Sequence, residues 1–138
     1  MAETGSTRIG LDSPSADGIL ALPRCFSTPA GIGLGALDDI ADGGARAFVL
    51  KLAQARFHGF VVRQGADCVA YVDRCPHAGV PLSKSLDAYL TSDGALIACS
   101  WHGALFEIDS GLCVGGPCQR AHLTRWPVEV HNGRLVTA

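Results

Sequence analysis

The chain has 138 residues, a formal net charge of −2 and 48% hydrophobic residues, with 17 Gly and 7 Pro. That length supports one domain with a real core but no second catalytic unit. The charge excludes the basic face that nucleic-acid binding requires, and no run approaches the roughly 20 apolar residues of a membrane-spanning helix.

The first residues, Met1 to Arg8, lack the basic region and apolar run of a secretory signal, so a cytoplasmic location is expected. In that compartment thiols stay reduced, and the six cysteines need not form disulfides. Residues 1–35 read as an N-terminal arm, partly disordered. Within it, residues 1–30 are rich in Gly, Ser, Pro, Ala and Asp, with only Ile19–Leu22 weakly apolar. The run Gly31-Ile-Gly-Leu-Gly35 has no strand before it, and Asp38-Asp39 follows too soon to bind a ribose. It is expected to be a flexible junction rather than a phosphate loop.

Residues 36–138 form the domain, and from Phe48 onward the pattern is β. Phe48–Leu52 is a strand. Phe60–Arg63 and Cys68–Val72 flank the turn Gln64-Gly-Ala-Asp67 and form a hairpin. Ala95–Ala98 follows the turn pair Asp93-Gly94, and Gly103–Phe106 continues away to a turn near Asp109-Ser-Gly111. Leu123–Val130 and Arg134–Thr137 close the list, joined by His131-Asn-Gly133, a strong hairpin turn. Ala78–Leu90 has room for one short helical turn, and Pro81 argues against more. The expected fold is all-β, a small antiparallel sandwich or barrel.

Two runs carry chemistry: Cys75-Pro-His77 and Cys99-Ser-Trp-His102. A C-x-H pair answered by a C-x-x-H pair offers two thiolates and two imidazoles from two tight loops. Pro76 stiffens the first loop, and Gly103 lets the second turn close to a bound group. Zinc also accepts a Cys₂His₂ set, although zinc fingers usually draw both Cys from one element and both His from another.

The stretches Cys75-Pro-His-Ala-Gly-Val-Pro-Leu82, Cys99-Ser-Trp-His-Gly-Ala-Leu-Phe106 and Gly115-Gly-Pro117 resemble those of Rieske-type [2Fe–2S] ferredoxins, over roughly residues 36–138. The resemblance implies a Rieske iron–sulfur domain with an inserted two-hairpin cluster-binding subdomain, each ligand loop at a hairpin tip. It implies one [2Fe–2S] cluster per chain, with Cys75 and Cys99 on one iron and His77 and His102 on the other. Gly115-Gly-Pro117 would cover it from a third side. Neutral imidazole donates less than thiolate, which raises Rieske potentials to between roughly −150 and +300 mV, against about −400 mV for plant-type ferredoxins.

Departures from the high-potential members are informative. Their extra loop disulfide cannot form, because Val80 and Trp101 occupy those positions. Their Ser and Tyr hydroxyls are replaced by Ala104 and Phe106, which donate no hydrogen bond to sulfur or to a ligand Cys. The reduced cluster is then less stabilised, and a low potential follows. Ser100 stands where many ferredoxins carry Pro, and the 21 residues between His77 and Cys99 are read as holding a loop insertion around Leu86–Asp93.

His58, His122 and His131 are expected to be surface or core residues, because no set of two His and one carboxylate marks a mononuclear iron site. The reading is therefore not an enzyme but a soluble one-electron carrier. By resemblance it passes electrons from a flavin-dependent reductase to a terminal oxygenase, with no nucleic acid and no membrane involved. The alternative is a small iron–sulfur subunit of a larger oxidoreductase, such as a nitrite-reductase-like complex. A third reading makes Cys113 and Cys118, which bracket the Gly-Gly-Pro loop, a redox-sensitive pair.

Overall fold

Alternation along the longest strand explains the architecture. In β4 (Ala55–Gln64), Phe57 and Val61 point to one face while Phe60 and Val62 point to the other, and all four are buried. A strand apolar on both faces must lie inside a three-layer arrangement. The computed structural model, which describes residues 22–74, 89–99, 104–116 and 121–138, shows that arrangement.

β4 is the centre of the main sheet. β3 (Ala45–Leu52) pairs antiparallel along one edge, from Ala45↔Val62 to Leu52↔Ala55. The other edge is shared: β5 (Asp67–Val72) takes Gly59–Gln64 antiparallel, and the short β1 (Arg24–Cys25) takes Arg56 and Phe57 parallel. A second sheet holds β2 (Gly33–Ala36), β10 (Arg134–Thr137) and β9 (Val128–His131) in that order. A third holds β6 (Leu96–Ala98), β7 (Leu105–Glu107) and β8 (Cys113–Gly115).

Two apolar clusters fill the layers. Phe48, Leu50, Phe57, Val61 and Trp126 join Leu34, Leu37 and Leu135 between the main sheet and the β2–β10–β9 sheet. Phe60, Val62, Val69 and Tyr71 join Tyr89, Ile97, Cys99, Ala104 and Phe106 on the opposite side, under the β6–β7–β8 sheet. The all-β expectation holds, since a single 3₁₀ turn at Leu37–Asp39 is the only helical element among the described residues.

Several local differences have physical causes. The Gly31–Gly35 run is not a flexible junction: Gly33–Gly35 lie in β2, and Leu135 and Val136 of β10 pair with Gly35 and Gly33. Ile32 N–H donates to Thr137 Oγ1 at 2.8 Å, and Trp126 Nε1 donates to Thr28 Oγ1 at 2.9 Å, so the chain from about residue 24 is tied to the body. The β3–β4 hairpin turns at Ala53-Gln54 with Ala53 at φ 54°, a position without the usual Gly or Asn signal. The strand expected over Leu123–Val130 is regular only from Val128. Before Pro127 the chain bonds instead to the end of β5, through Val72 N–H to Thr124 and Trp126 N–H to Ala70. The His131-Asn-Gly133 turn forms as expected, with both Asn132 and Gly133 at positive φ.

Gly59 is fixed by packing. A Cβ there would lie 2.5 Å from Trp126 Cε3 and 2.7 Å from Phe57 Cε2, inside a dense aromatic contact. Gly59→Ala is expected to destabilise the fold by about 1–3 kcal/mol, as overpacked core substitutions do. Urea unfolding followed by Trp fluorescence measures this, and a change below about 0.5 kcal/mol would contradict the packing.

Candidate metal centre

The residues that flank three segments, 75–88, 100–103 and 117–120, are described and are the roots of those segments. Arg74 and Tyr89 flank the first, Cys99 and Ala104 the second, and Gly116 and Ala121 the third. Cys75, His77 and His102 lie outside the described residues, as do Val80, Trp101, Pro117, Cys118 and the helical turn expected within 78–90, except for its last two positions.

The three roots are bonded to one another. Tyr89 Oη donates to buried Asp73 Oδ2 at 2.6 Å, closing the base of the first segment across residues 75–88. The Tyr89 carbonyl accepts from Ala98 N–H at 2.8 Å, which joins that base to the strand ending at Cys99. Cys99 N–H donates to Ala104 O at 2.8 Å and shuts the second root. Pairing of Leu105 with Gly115 joins the second root to the third, and Cys113 N–H donates to Ala121 O at 2.8 Å. Phe60 lies flat against Tyr89, with ring centroids 4.3 Å apart and planes 9° apart, so the main sheet supports the junction from below.

Cys99 is the predicted ligand that the structure describes. It directly follows β6, forms no disulfide among the described residues and is 2% exposed, in an apolar bed with Tyr89, Ile97, Ala104 and Phe106. A thiolate in such a bed needs a positive partner to offset its lost hydration, and a metal supplies one. The donor chemistry therefore fits an iron–sulfur group. Ala104 and Phe106 are wholly buried and carry no hydroxyl, and the two nearby tyrosines spend theirs elsewhere: Tyr89 on Asp73, Tyr71 on the Ile108 carbonyl at 2.6 Å. Cys113 is buried as well, and its thiol donates to the Gly115 carbonyl at 3.2 Å, bracing the third root.

Asp73, Tyr89 and His58 have structural roles that residue spacing did not reveal. Asp73 N–H donates to His58 O at 2.8 Å, and Arg24 Nη2 donates to Asp73 O at 3.0 Å. His58 Nε2 lies 2.6 Å from Arg56 Nη1. Its pKa is lowered to about 4, because burial disfavours the charged ring and Arg24 and Arg56 repel it. The neutral ring then accepts from Arg56. His122 makes an isolated bridge to Leu112, and His131 is exposed beside Glu129 at 2.7 Å; among the described residues neither joins a ligand set.

Comparison with known proteins places this arrangement. The family model for the Rieske [2Fe-2S] domain matches residues 36–131. The chain is 32% identical over 105 residues to the ferredoxin component of the p-cumate 2,3-dioxygenase system of Pseudomonas putida, covering 75% of this chain and 81% of that protein. It is 33% identical over 78 residues to Ferredoxin CarAc of Metapseudomonas resinovorans, covering 56% and 67%. Among solved structures, a complex of reduced oxygenase and oxidized ferredoxin in carbazole 1,9a-dioxygenase matches with TM-score 0.59 and 29% identity, over 75% of this chain and 88% of that one. The ferredoxin of carbazole 1,9a-dioxygenase from Nocardioides aromaticivorans IC177 shares the fold, with TM-score 0.63 at 22% identity over 80% and 98%.

Two outcomes follow. Tyr89→Phe removes the donor to a buried carboxylate and should cost about 1–3 kcal/mol. It should also release iron at lower urea than wild type, which visible absorption of the purified protein reports. Stability should fall as pH drops from about 6.5, the unperturbed His value, toward the folded His58 value of about 4. In that window the unfolded chain binds a proton that the folded chain refuses, so the folded state gains as pH rises. His58→Gln should flatten this part of a Tm-versus-pH profile.

Proposed function

The chain belongs to the Rieske [2Fe–2S] domain family, and from that premise we propose that Cys75, His77, Cys99 and His102 hold its cluster and that the protein serves as a soluble, cytoplasmic one-electron carrier. When bound, the cluster supplies a reversible one-electron couple. The chain's own residues supply the bed: Cys99 in an apolar pocket, the Asp73–Tyr89 pair closing the first segment, and Ala104 and Phe106 withholding hydrogen bonds from sulfur. That last feature argues for a potential near the low end of the Rieske range.

The observation that carries the reading is the likeness to a dioxygenase ferredoxin component along most of both chains. By that likeness, the proposed partners are a flavin-dependent reductase on one side and a terminal ring-hydroxylating oxygenase on the other. A fixed subunit of a larger complex needs a wide apolar face. Among the described residues the exposed large hydrophobics are Phe26 and Val114, which favours a carrier with small, transient contacts. The domain proper is proposed to span residues 36–138. Residues 1–35 are proposed to form an arm; in its described part, Arg24 and Cys25 pair with β4, and Gly33 and Gly35 pair with β10.

His77→Cys or His102→Cys should lower the potential, because a thiolate leaves more negative charge on its iron, or should lose the cluster. Voltammetry of anaerobically purified protein reads this. An intact cluster at the wild-type potential would overturn the ligand assignment.

A further inference from the structure

One face of the main sheet carries a row of cations. Lys51, Arg56 and Arg24 are cross-strand partners on β3, β4 and β1, so their side chains share a face. The same face continues along β4 through His58 to Phe60, the residue stacked under Tyr89. Arg74, exposed and one residue before Cys75, joins the group through Phe26. The Arg74 and Arg24 guanidiniums lie 4.8 and 5.2 Å from the centre of that ring.

Like charges opposed across a sheet destabilise it, so the row works against folding. Elsewhere two arginines face a carboxylate, Arg46 with Asp39 and Arg63 with Asp38, while Arg125 bonds a main-chain carbonyl and covers the Tyr71 ring. Among the described residues, Arg24, Arg56 and Arg74 have no carboxylate within ion-pair distance, and Arg24 Nε is buried without an acceptor. His58 adds no charge, being held neutral by its neighbours. Asp73 is the nearby acid, and it is buried and bound to Tyr89. A positive patch thus sits on a chain of net charge −2, with the exposed Phe26 ring against Arg24 and Arg74 and with Arg74 next to Cys75 in the chain.

We propose that Lys51, Arg56, Arg24, Arg74 and Phe26 form the docking surface for a carboxylate-rich face of the protein that delivers the electron. The proposal rests on the carrier reading above. Redox sign selects the donor over the acceptor. Accepting an electron adds one negative charge beside the patch, so an acidic partner holds the oxidised carrier more firmly than the reduced one. An electron donor needs that order: it binds the oxidised form and releases the reduced form. Arginine and an aromatic ring are also the residues that carry most binding energy at small interfaces.

The test is stopped-flow reduction of the oxidised holoprotein across ionic strength by two donors of opposite charge. Reduced flavodoxin, an acidic flavoprotein, stands for the partner, and the methyl viologen radical cation is the control. With flavodoxin the second-order rate constant should fall as salt rises, although both proteins carry net negative charge. R74Q should lower it at low salt and weaken the salt dependence, and the double variant K51Q/R74Q should lower it further, to about a tenth of the wild-type value. Their rates with methyl viologen should be unchanged or higher. Both substitutions leave the main-chain bonds of Arg24 and Arg56 in place, and Phe26→Ala, which deletes only the exposed ring, should act in the same direction. A wild-type rate that rises with salt, or variants that match wild type, would overturn the proposal. So would selective blocking by millimolar inorganic phosphate at matched ionic strength, which would mark a phosphate site instead. A wild-type protein without a visible iron–sulfur spectrum would defeat the carrier reading itself, an outcome distinct from a cluster that is reduced with no charge preference.

Discussion

The fold turns on a single residue. Tyr89 donates from its hydroxyl to buried Asp73, accepts at its carbonyl from Ala98, and stacks its ring on Phe60. These contacts join the end of β5, the strand that ends at Cys99 and the face of the main sheet. Each is local and weak in net terms, yet the two hydrogen bonds pair polar groups within a buried region. A metal site assembled from separate loops needs such a shared root, because small displacements of one loop would misplace its ligands relative to the other.

The main sheet does two jobs because its central strand is apolar on both faces. One face seals the core against the β2–β10–β9 sheet through Phe57 and Trp126; the other supports the β6–β7–β8 layer through Phe60 and Tyr71. Gly59 and Gly111 make these contacts possible, since a Cβ at either would press into an aromatic ring at under 3 Å. The same strand carries Arg56 and His58 out from the buried centre to its N-terminal end, so the sheet that supports the metal bed also presents the cationic row beside it.

The electrostatics of this region are unusual for a chain of net charge −2. Burial and the neighbouring guanidiniums hold His58 neutral, and Arg24 is pushed below its ordinary pKa chiefly by desolvation. Such crowding persists where packing fixes the backbone strongly enough to bear it, and here the eight cross-strand pairs of β3 with β4 do so.

The family and its fold class were legible in the residues themselves. Two Cys–His runs at one- and two-residue spacing specify a donor set because ligand identity is a property of side chains, whatever the fold around them. Hairpins marked by Gly65, Gly94 and Asn132-Gly133 were legible for a similar reason: positive φ needs those residues, and the structure shows it at all four. Tertiary context decided the rest. The turn at Ala53 carries no local signal, and Gly33–Gly35 become strand only because β10 offers them hydrogen bonds. Leu123–Pro127 has a strand-like pattern but bonds to β5 instead. The Asp73–Tyr89 clasp and the Lys51–Arg56–Arg24 row join residues far apart in the chain. Their effect depends on register and burial, which no local pattern encodes, so the sequence by itself determined which donor residues the chain offers, and only the tertiary structure decided how the described part of the region is held and what faces it.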